Sequence, residues 1–117
     1  MDPLMEKAAR ADAPGPSTGI RRPALTLGIE EEFQLIDPET RELKSHIQEL
    51  YTEGEARLGE QFKVEMHQSV IEVGSNICKN IQEARAEVVR LRGEIIRLTR
   101  ERGLRIASGG THPITHW

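Results

Sequence analysis

Leu27-Gly28-Ile29-Glu30-Glu31-Glu32-Phe33-Gln34-Leu35 is the stretch that decides how this chain reads. It is strand-like at both ends and carries three consecutive carboxylates at its middle. Side chains alternate faces along a strand. Glu30 and Glu32 therefore share a face with Thr26 and Gln34, while Leu25, Leu27, Ile29, Phe33 and Leu35 take the other. Two like charges about 6 Å apart in a half-desolvated site repel by roughly 3 kcal/mol at an effective dielectric near 20. A divalent cation removes that repulsion, and paired carboxylates are hard oxygen donors that suit Mg²⁺. A solvated polar face accounts for the same pattern, because in water the repulsion is under about 1 kcal/mol. Glu31 falls on the otherwise apolar face and calls for a partner that the sequence does not name.

The rest of the chain bounds the possibilities. Its 117 residues suffice for one small domain or a piece of a larger one. Only 3% are aromatic, so large core anchors are few, and the net charge of −3 is modest. No basic patch is interleaved with aromatics, which argues against nucleic acid as a partner. Cys78 is the single cysteine, so no internal disulfide and no thiolate zinc cluster can form. Cys78 precedes a helix start, a position that can activate a thiol; a small buried residue is the plainer role. No apolar run approaches the roughly 18 residues of a membrane span. The N-terminus lacks an apolar signal core, and Asp2, Glu6 and Asp12 are foreign to an organellar transit peptide. A cytoplasmic location is the expectation.

Residues 1–23 hold Pro3, Pro14, Pro16 and Pro23 without apolar periodicity and read as a disordered leader. Residues 24–36 are expected as the first strand. Asp37-Pro38-Glu39-Thr40 is a turn signal, with a short return strand around 42–44. Residues 46–60 look weakly helical, weakened by Gly54 and Gly59, each costing about 1 kcal/mol inside a helix. Residues 62–73 read as a second long strand, with Phe62, Val64, Met66, Gln68, Val70 and Glu72 on one face. Gly74-Ser75-Asn76 ends it.

The clearest helix follows. Asn80 caps it and Glu83 completes a capping box. Ile81, Ala84, Val88, Leu91, Ile95 and Leu98 repeat at three- and four-residue steps. Arg97, Arg100 and Arg102 suit the negative end of the dipole. Gly103 supplies a left-handed cap, over which Leu104 folds back. The same spacing fits a coiled-coil seam flanked by Glu87 and Arg92. Val89 and Ile96 widen the stripe, and a wide stripe suits a helix on a sheet better. A strand restarts at 105–108, before the loop Gly109-Gly110-Thr111-His112-Pro113.

Two further places could carry chemistry. If the second strand pairs beside the first, Glu72 joins Glu30 and Glu32 in one carboxylate cluster, a plausible Mg²⁺ site alongside a nucleotide phosphate; alone, Glu72 is an ordinary surface residue. The glycines at 109 and 110 let backbone N–H groups approach a phosphate or carboxylate. Thr111 adds a hydroxyl there and His112 a donor or titrating group, though a Gly-rich turn before proline is often only a turn. His46, His67 and His116 read as incidental, and Arg21 and Arg22 as solvated charges. The nucleotide-binding glycine motifs of P-loop and dinucleotide folds are absent.

Thr26 through Thr40 resembles the opening of the carboxylate–amine ligases of the glutamate–cysteine ligase type 2 family. Gln68-Ser-Val-Ile-Glu-Val-Gly-Ser-Asn-Ile-Cys78 resembles its second motif. The helix 80–102 and Ser108-Gly-Gly-Thr-His-Pro113 match in order and spacing, so the resemblance covers residues 24–117. It implies an α+β fold, the N-terminal portion of a glutamine-synthetase-like catalytic domain whose antiparallel sheet forms a funnel. It also implies ATP-dependent amide formation from L-glutamate and L-cysteine, or another amine, through an acyl phosphate, with ATP and Mg²⁺. By position, Glu30, Glu32 and Glu72 become metal ligands, His112 a catalytic residue, and Thr111 and Gln68 contacts to nucleotide or substrate.

Three departures stand out. Arg41 occupies a place where the family turn often has glycine. Gly74-Ser75 replaces a more usual residue followed by threonine. Family members are also much longer, so the chain reads as an N-terminal fragment, inactive alone. A different class of function, a non-catalytic module self-associating through the Ile81–Leu98 stripe, accounts for the helix by itself. The two are compatible if the parent enzyme is a homo-oligomer.

Overall fold

A computed structural model describes residues 19, 23–45, 48–65 and 69–114. The leader (all but residues 19 and 23), His46, Met66, His67, Gln68, His116 and Trp117 lie outside the described residues. The elements run β1 (Glu30–Ile36), α1 (Gln48–Leu58), a 3-10 turn (Gly59–Gln61), β2 (Phe62–Glu65), β3 (Val70–Gly74), α2 (Ile81–Arg100) and β4 (Arg105–Ala107). The fold is α+β: a four-stranded sheet in the order β2-β3-β1-β4, antiparallel at each pairing, with two helices.

Alternation along β1 sorts the sheet into two faces. Phe33 and Leu35 join Phe62, Ile71 and Val73 in a core closed by Leu50 and Leu58 of α1 and Leu91, Ile95 and Leu98 of α2. Glu30, Glu32 and Gln34 fall on the opposite face. The strand begins at Glu30 rather than at residue 24. Ahead of it, Leu27 makes only an isolated bridge with Cys78, and Leu25 is 85% exposed. At the other end, Asp37 Oδ1 accepts from the amides of Glu39 and Thr40 (2.8 and 3.0 Å). The expected return strand is a single bridge, Ile36 with Leu43.

The long strand expected over 62–73 is instead a hairpin, β2 turning back into β3 between Glu65 and Val70. The reason lies in the parity of the apolar residues. Phe62 and Val64 are even, whereas Ile71 and Val73 are odd, and one unbroken strand would send the two pairs to opposite faces. Pairing Phe62 with Val73 and Val64 with Ile71 brings all four onto the helix side. Phe62 and Val64 therefore do not share a face with Glu72, which looks the other way.

α2 starts as its sequence demands: Glu83 N–H donates to the Asn80 side-chain oxygen at 2.9 Å. The Glu83 carboxylate accepts from Lys79 N–H (2.7 Å), one residue before the cap. At its end Gly103 takes φ +66°, and Leu104 N–H reaches back to Thr99 O at 3.0 Å with Leu104 buried. Ala84, Leu91, Ile95 and Leu98 are buried within this chain, whereas Ile81, Val89 and Ile96 remain exposed. The widened side of the stripe is thus not the part covered by the sheet. Four of the six stripe residues, Ala84, Leu91, Ile95 and Leu98, are thus taken up by the chain's own core, while Ile81 at its start is not. Glu87 and Arg92 do not pair with each other; each has another partner, given below. No described helix is long and apolar enough to cross a membrane.

Candidate functional site

The helix-free face of the sheet carries the acidic residues. Glu32 of β1 stands directly opposite Glu72 of β3, and Glu72 stands opposite Lys63 of β2. Lys63, Glu72 and Glu32 thus form one row across three strands, which neighbour each other at about 4.8 Å. Glu30 lies one step along β1 on the same face, opposite Gly74. Gln34 lies one step the other way, between Val70 and Ala107. The sheet therefore brings Glu30, Glu32 and Glu72 to one face, by a hairpin rather than by the long strand expected from the sequence.

Their side chains are not bundled. Lys63 Nζ donates to Glu72 Oε1 at 3.0 Å, with the Glu72 side chain 18% exposed and that of Lys63 64%. The Lys63 ammonium is held above its usual pKa, first by the hydrogen bond to Glu72, then by the charges of Glu72 and Glu30. Among the described residues, no three His, Cys, Asp or Glu side chains stand close enough to hold a metal ion by themselves. The donor set still fits Mg²⁺ in kind: Glu32 and Glu72 are facing oxygen donors, and this ion is commonly held by one or two carboxylates with substrate phosphates.

The Glu30 end is fixed by Ser75. Ile29 N–H donates to Ser75 Oγ (3.0 Å), and Ser75 N–H donates to Ile29 O (2.8 Å). The hydroxyl thus continues the β1–β3 ladder where regular pairing stops. Behind it, Glu87 of α2 accepts from Asn76 N–H (2.9 Å), Gln61 Nε2 (3.1 Å) and Arg90. These bonds, the one from Arg90 foremost, hold Glu87 down to a pKa of about 2.

The glycine loop lies at the opposite end of the face. It follows β4, and Gly109 passes beside the Gln34 side chain: an added Cβ would stand 3.9 Å from Gln34 Oε1. Thr111 is exposed. His112 is buried, with Nε2 2.8 Å from Arg41 O and Nδ1 3.3 Å from Ile114 N. If Nδ1 accepts from the Ile114 amide, the proton sits on Nε2 and is donated to the Arg41 carbonyl. His112 is therefore engaged in fastening the loop to the Asp37–Arg41 turn. Cys78 is buried, with Sγ 3.2 Å from Asn76 O, the packing role rather than an exposed thiol.

Lys63 is the residue of this face that the sequence reading passed over. Lys63 becomes visible once the parity switch between Val64 and Ile71 is taken as a hairpin, since the register then sets it against Glu72.

Comparison with known proteins places the chain in a family. The model of the glutamate-cysteine ligase family 2 matches residues 26–117. A relative from Herpetosiphon aurantiacus, named "Putative glutamate--cysteine ligase 2", is 59% identical over 92 residues, covering 79% of this chain and 24% of the relative. Relatives of the same name from Roseiflexus castenholzii and Solibacter usitatus are 60% identical over 92 residues and 54% over 97. They are covered over 24% and 25% of their length, against 79% and 82% of this chain. The chain thus spans about a quarter of the length of these relatives. With the family model spanning the whole sheet and both helices, the chain belongs to the glutamate–cysteine ligase family 2.

Proposed function

We propose that this chain supplies the acidic sheet of an ATP-dependent carboxylate–amine ligase, with residues 24–117 forming the first portion of a glutamine-synthetase-like catalytic domain. The observation that carries the reading is the cross-strand pair Glu32–Glu72, with Glu30 beside it on the helix-free face. The substrates are L-glutamate, L-cysteine or a related amine, and ATP, in the cytoplasm. The γ-phosphoryl group of ATP passes to a side-chain carboxylate oxygen of glutamate, giving an acyl phosphate and ADP. The amine nitrogen attacks the acyl carbon and forms the C–N bond; phosphate leaves with the C–O electron pair, and nitrogen gives up a proton. Mg²⁺, if held by Glu30, Glu32 and Glu72, would supply positive charge to offset that of the phosphates.

In this reading Glu30, Glu32 and Glu72 present oxygen ligands along one face. Thr111 and Gln68 contact nucleotide or substrate. His112 serves the site by anchoring the Gly109–Thr111 loop through Arg41 O, and is a positioning group rather than an acid or base. The chain contributes part of the site and does not turn over alone.

A chimera tests the proposal, with residues 26–117 replacing the matching segment of the Herpetosiphon aurantiacus relative. It should release ADP only when glutamate and the amine are both present. Glu32→Gln or Glu72→Gln should abolish that release while far-UV circular dichroism stays unchanged. An active parent relative with an inactive, folded chimera would remove the activity from this chain, and near-normal turnover in both variants would remove these residues as ligands.

A further inference from the structure

The two edges of the sheet are finished differently. At the β2 edge α1 lies against the strand, so close that a Cβ on Gly54 would meet the Phe62 ring at 2.4 Å. The β4 edge is open. Between α2 and β4 run two adjoining hollows of about 260 and 360 Å³ that share Ile96 and Ile106. Ile96 is 37% exposed, and Ile106 is partly buried against the core. The backbone of Ile106 is open as well. Leu35 N–H donates to Ser69 O on the β3 side. By the alternation of an antiparallel ladder, Gln34 and Ile36 therefore bond to β4, through their partners Ala107 and Arg105. Ile106, opposite Leu35, turns its N–H and C=O away from β1, toward the side where the described sheet ends. Two exposed arginines flank this edge: Arg100 beside the smaller hollow, and Arg105, which alternation sends to the helix-free face. Among the described residues neither side chain has an ion pair or a hydrogen bond.

We propose that the β4 edge is the seam along which the remaining part of a glutamate–cysteine ligase family 2 chain continues the sheet. The occupant is an extended segment that bonds to Ile106 N–H and C=O, sets an apolar side chain against Ile96 and Ile106, and brings a carboxylate to Arg105. The inference rests on the proposed reading of this chain as one portion of a ligase domain. The chain spans about a quarter of its relatives' length, so they hold ample further chain to supply such a segment. An unpaired strand edge is a template for another strand. Charge selects which strand, because opposite charges on neighbouring strands attract and like charges repel. A second copy of this chain would set Arg100 and Arg105 against their own equivalents, whereas an acidic segment neutralises them.

The experiment compares amide hydrogen exchange in the 117-residue chain and in the chimera described above, with the Leu35 amide as reference for opening of the whole sheet. Relative to Leu35, the Ile106 amide should exchange about tenfold more slowly in the chimera than in the chain alone. Ile96→Asp and Arg105→Glu should each remove that gain in the chimera and leave Ile106 exchange in the chain alone unchanged, which a merely structural role would not do. Equal Ile106 protection in chain and chimera overturns the seam; if that chimera still turns over, the ligase reading stands without it. A protected Ile106 in an inactive chimera keeps the seam and removes the activity. A chimera that fails to fold where its parent folds also overturns the seam, since the edge then does not accept the remainder. Sedimentation of the chain alone tests the other occupant: a dimer abolished by Ile96→Asp gives the edge to a second copy and overturns the proposal.

Discussion

Arg92 of α2 forks onto Glu31 of β1 from 61 positions away, with Nε 2.9 and 3.1 Å from the two carboxylate oxygens and Nη2 also bonded to Oε1. This pair answers the one residue of the acidic triplet that alternation puts on the wrong face. Glu30 and Glu32 look away from the helices; Glu31 looks toward them and is met by an arginine at the edge of the core. The planar guanidinium matches a carboxylate through two parallel bonds. The pair lets three consecutive glutamates occupy a strand whose other side is apolar.

Truncating one partner leaves a half-covered charge without its complement, whereas removing both is close to neutral. Arg92→Ala should therefore lower the thermal midpoint by a few degrees, and Glu31→Leu in that background should recover most of the loss. Arg92 is more than half exposed, so the effect should shrink in high salt. Thermal unfolding of wild type, both single variants and the double variant checks this. Strictly additive losses would mean that the two side chains do not interact.

Gly54 sits inside α1, where glycine costs about 1 kcal/mol against alanine. Helix propensity alone thus makes Gly54→Ala a stabilising change. The structure reverses the sign, because a Cβ at residue 54 would lie 2.4 Å from Phe62 Cζ and 2.5 Å from Cε1. Phe62 is buried in the core and cannot swing clear. Gly54→Ala should destabilise by about 2 kcal/mol, an overpacking cost. Phe62→Leu should be milder in the Gly54→Ala background than in wild type. Urea unfolding of the four proteins decides it, and a stabilised Gly54→Ala would refute the close approach.

Arg41 is the one non-glycine residue with positive φ (+65°) among the described residues. It closes the turn built on Asp37, donating its amide to Asp37 O at 3.0 Å, while its carbonyl faces His112. A side chain in the left-handed region costs roughly 1–2 kcal/mol, part of which glycine returns as unfolded-chain entropy. Arg41→Gly should stabilise the protein by about 0.5–1 kcal/mol, and Arg41→Val should destabilise it. A lower urea midpoint for Arg41→Gly would show that the arginine side chain contributes more than its backbone strain costs.

The parts legible in the sequence were those governed by local rules. The acidic face of β1 followed from alternation, the start of α2 from Asn80 and Glu83, and its end from Gly103 and Leu104. The parts that were not legible depended on contacts far along the chain. Nothing near Glu31 points to Arg92, and nothing near Gly54 points to the ring of Phe62. The hairpin was hidden because residues 62–73 alternate almost without interruption, and the parity switch from Val64 to Ile71 is easily read through. Missing it also concealed Lys63. His112 stood in a motif, but its burial against Arg41 O depends on how the turn after β1 folds. The placement of Gln68 is outside the described residues.

Glu87 gives the fold a defined acid sensitivity. Its carboxylate accepts from Asn76 N–H, Gln61 and Arg90 together, binding the segment after β3 and the 3-10 turn to α2. Its folded pKa is about 2, against an ordinary 4.5. A carboxylate with a depressed folded pKa stabilises the fold fully above its unfolded pKa. That contribution is lost as pH falls through the folded value. The loss therefore develops from about pH 4.5 down to about 2. With the side chain 18% exposed, solvent screening holds the contribution to about 1–2 kcal/mol. Other carboxylates also titrate in this window, so the informative comparison is with Glu87→Gln. That variant should be less stable than wild type at pH 6, and the difference should narrow by pH 2.5. Urea midpoints at both pH values measure it. A gap that stays constant between the two would mean that the Glu87 charge contributes nothing and only its shape matters. If the Asn76 amide also loses hydrogen-exchange protection in Glu87→Gln at pH 6, the lost stability can be traced to the segment that carries Ser75 and braces Glu30.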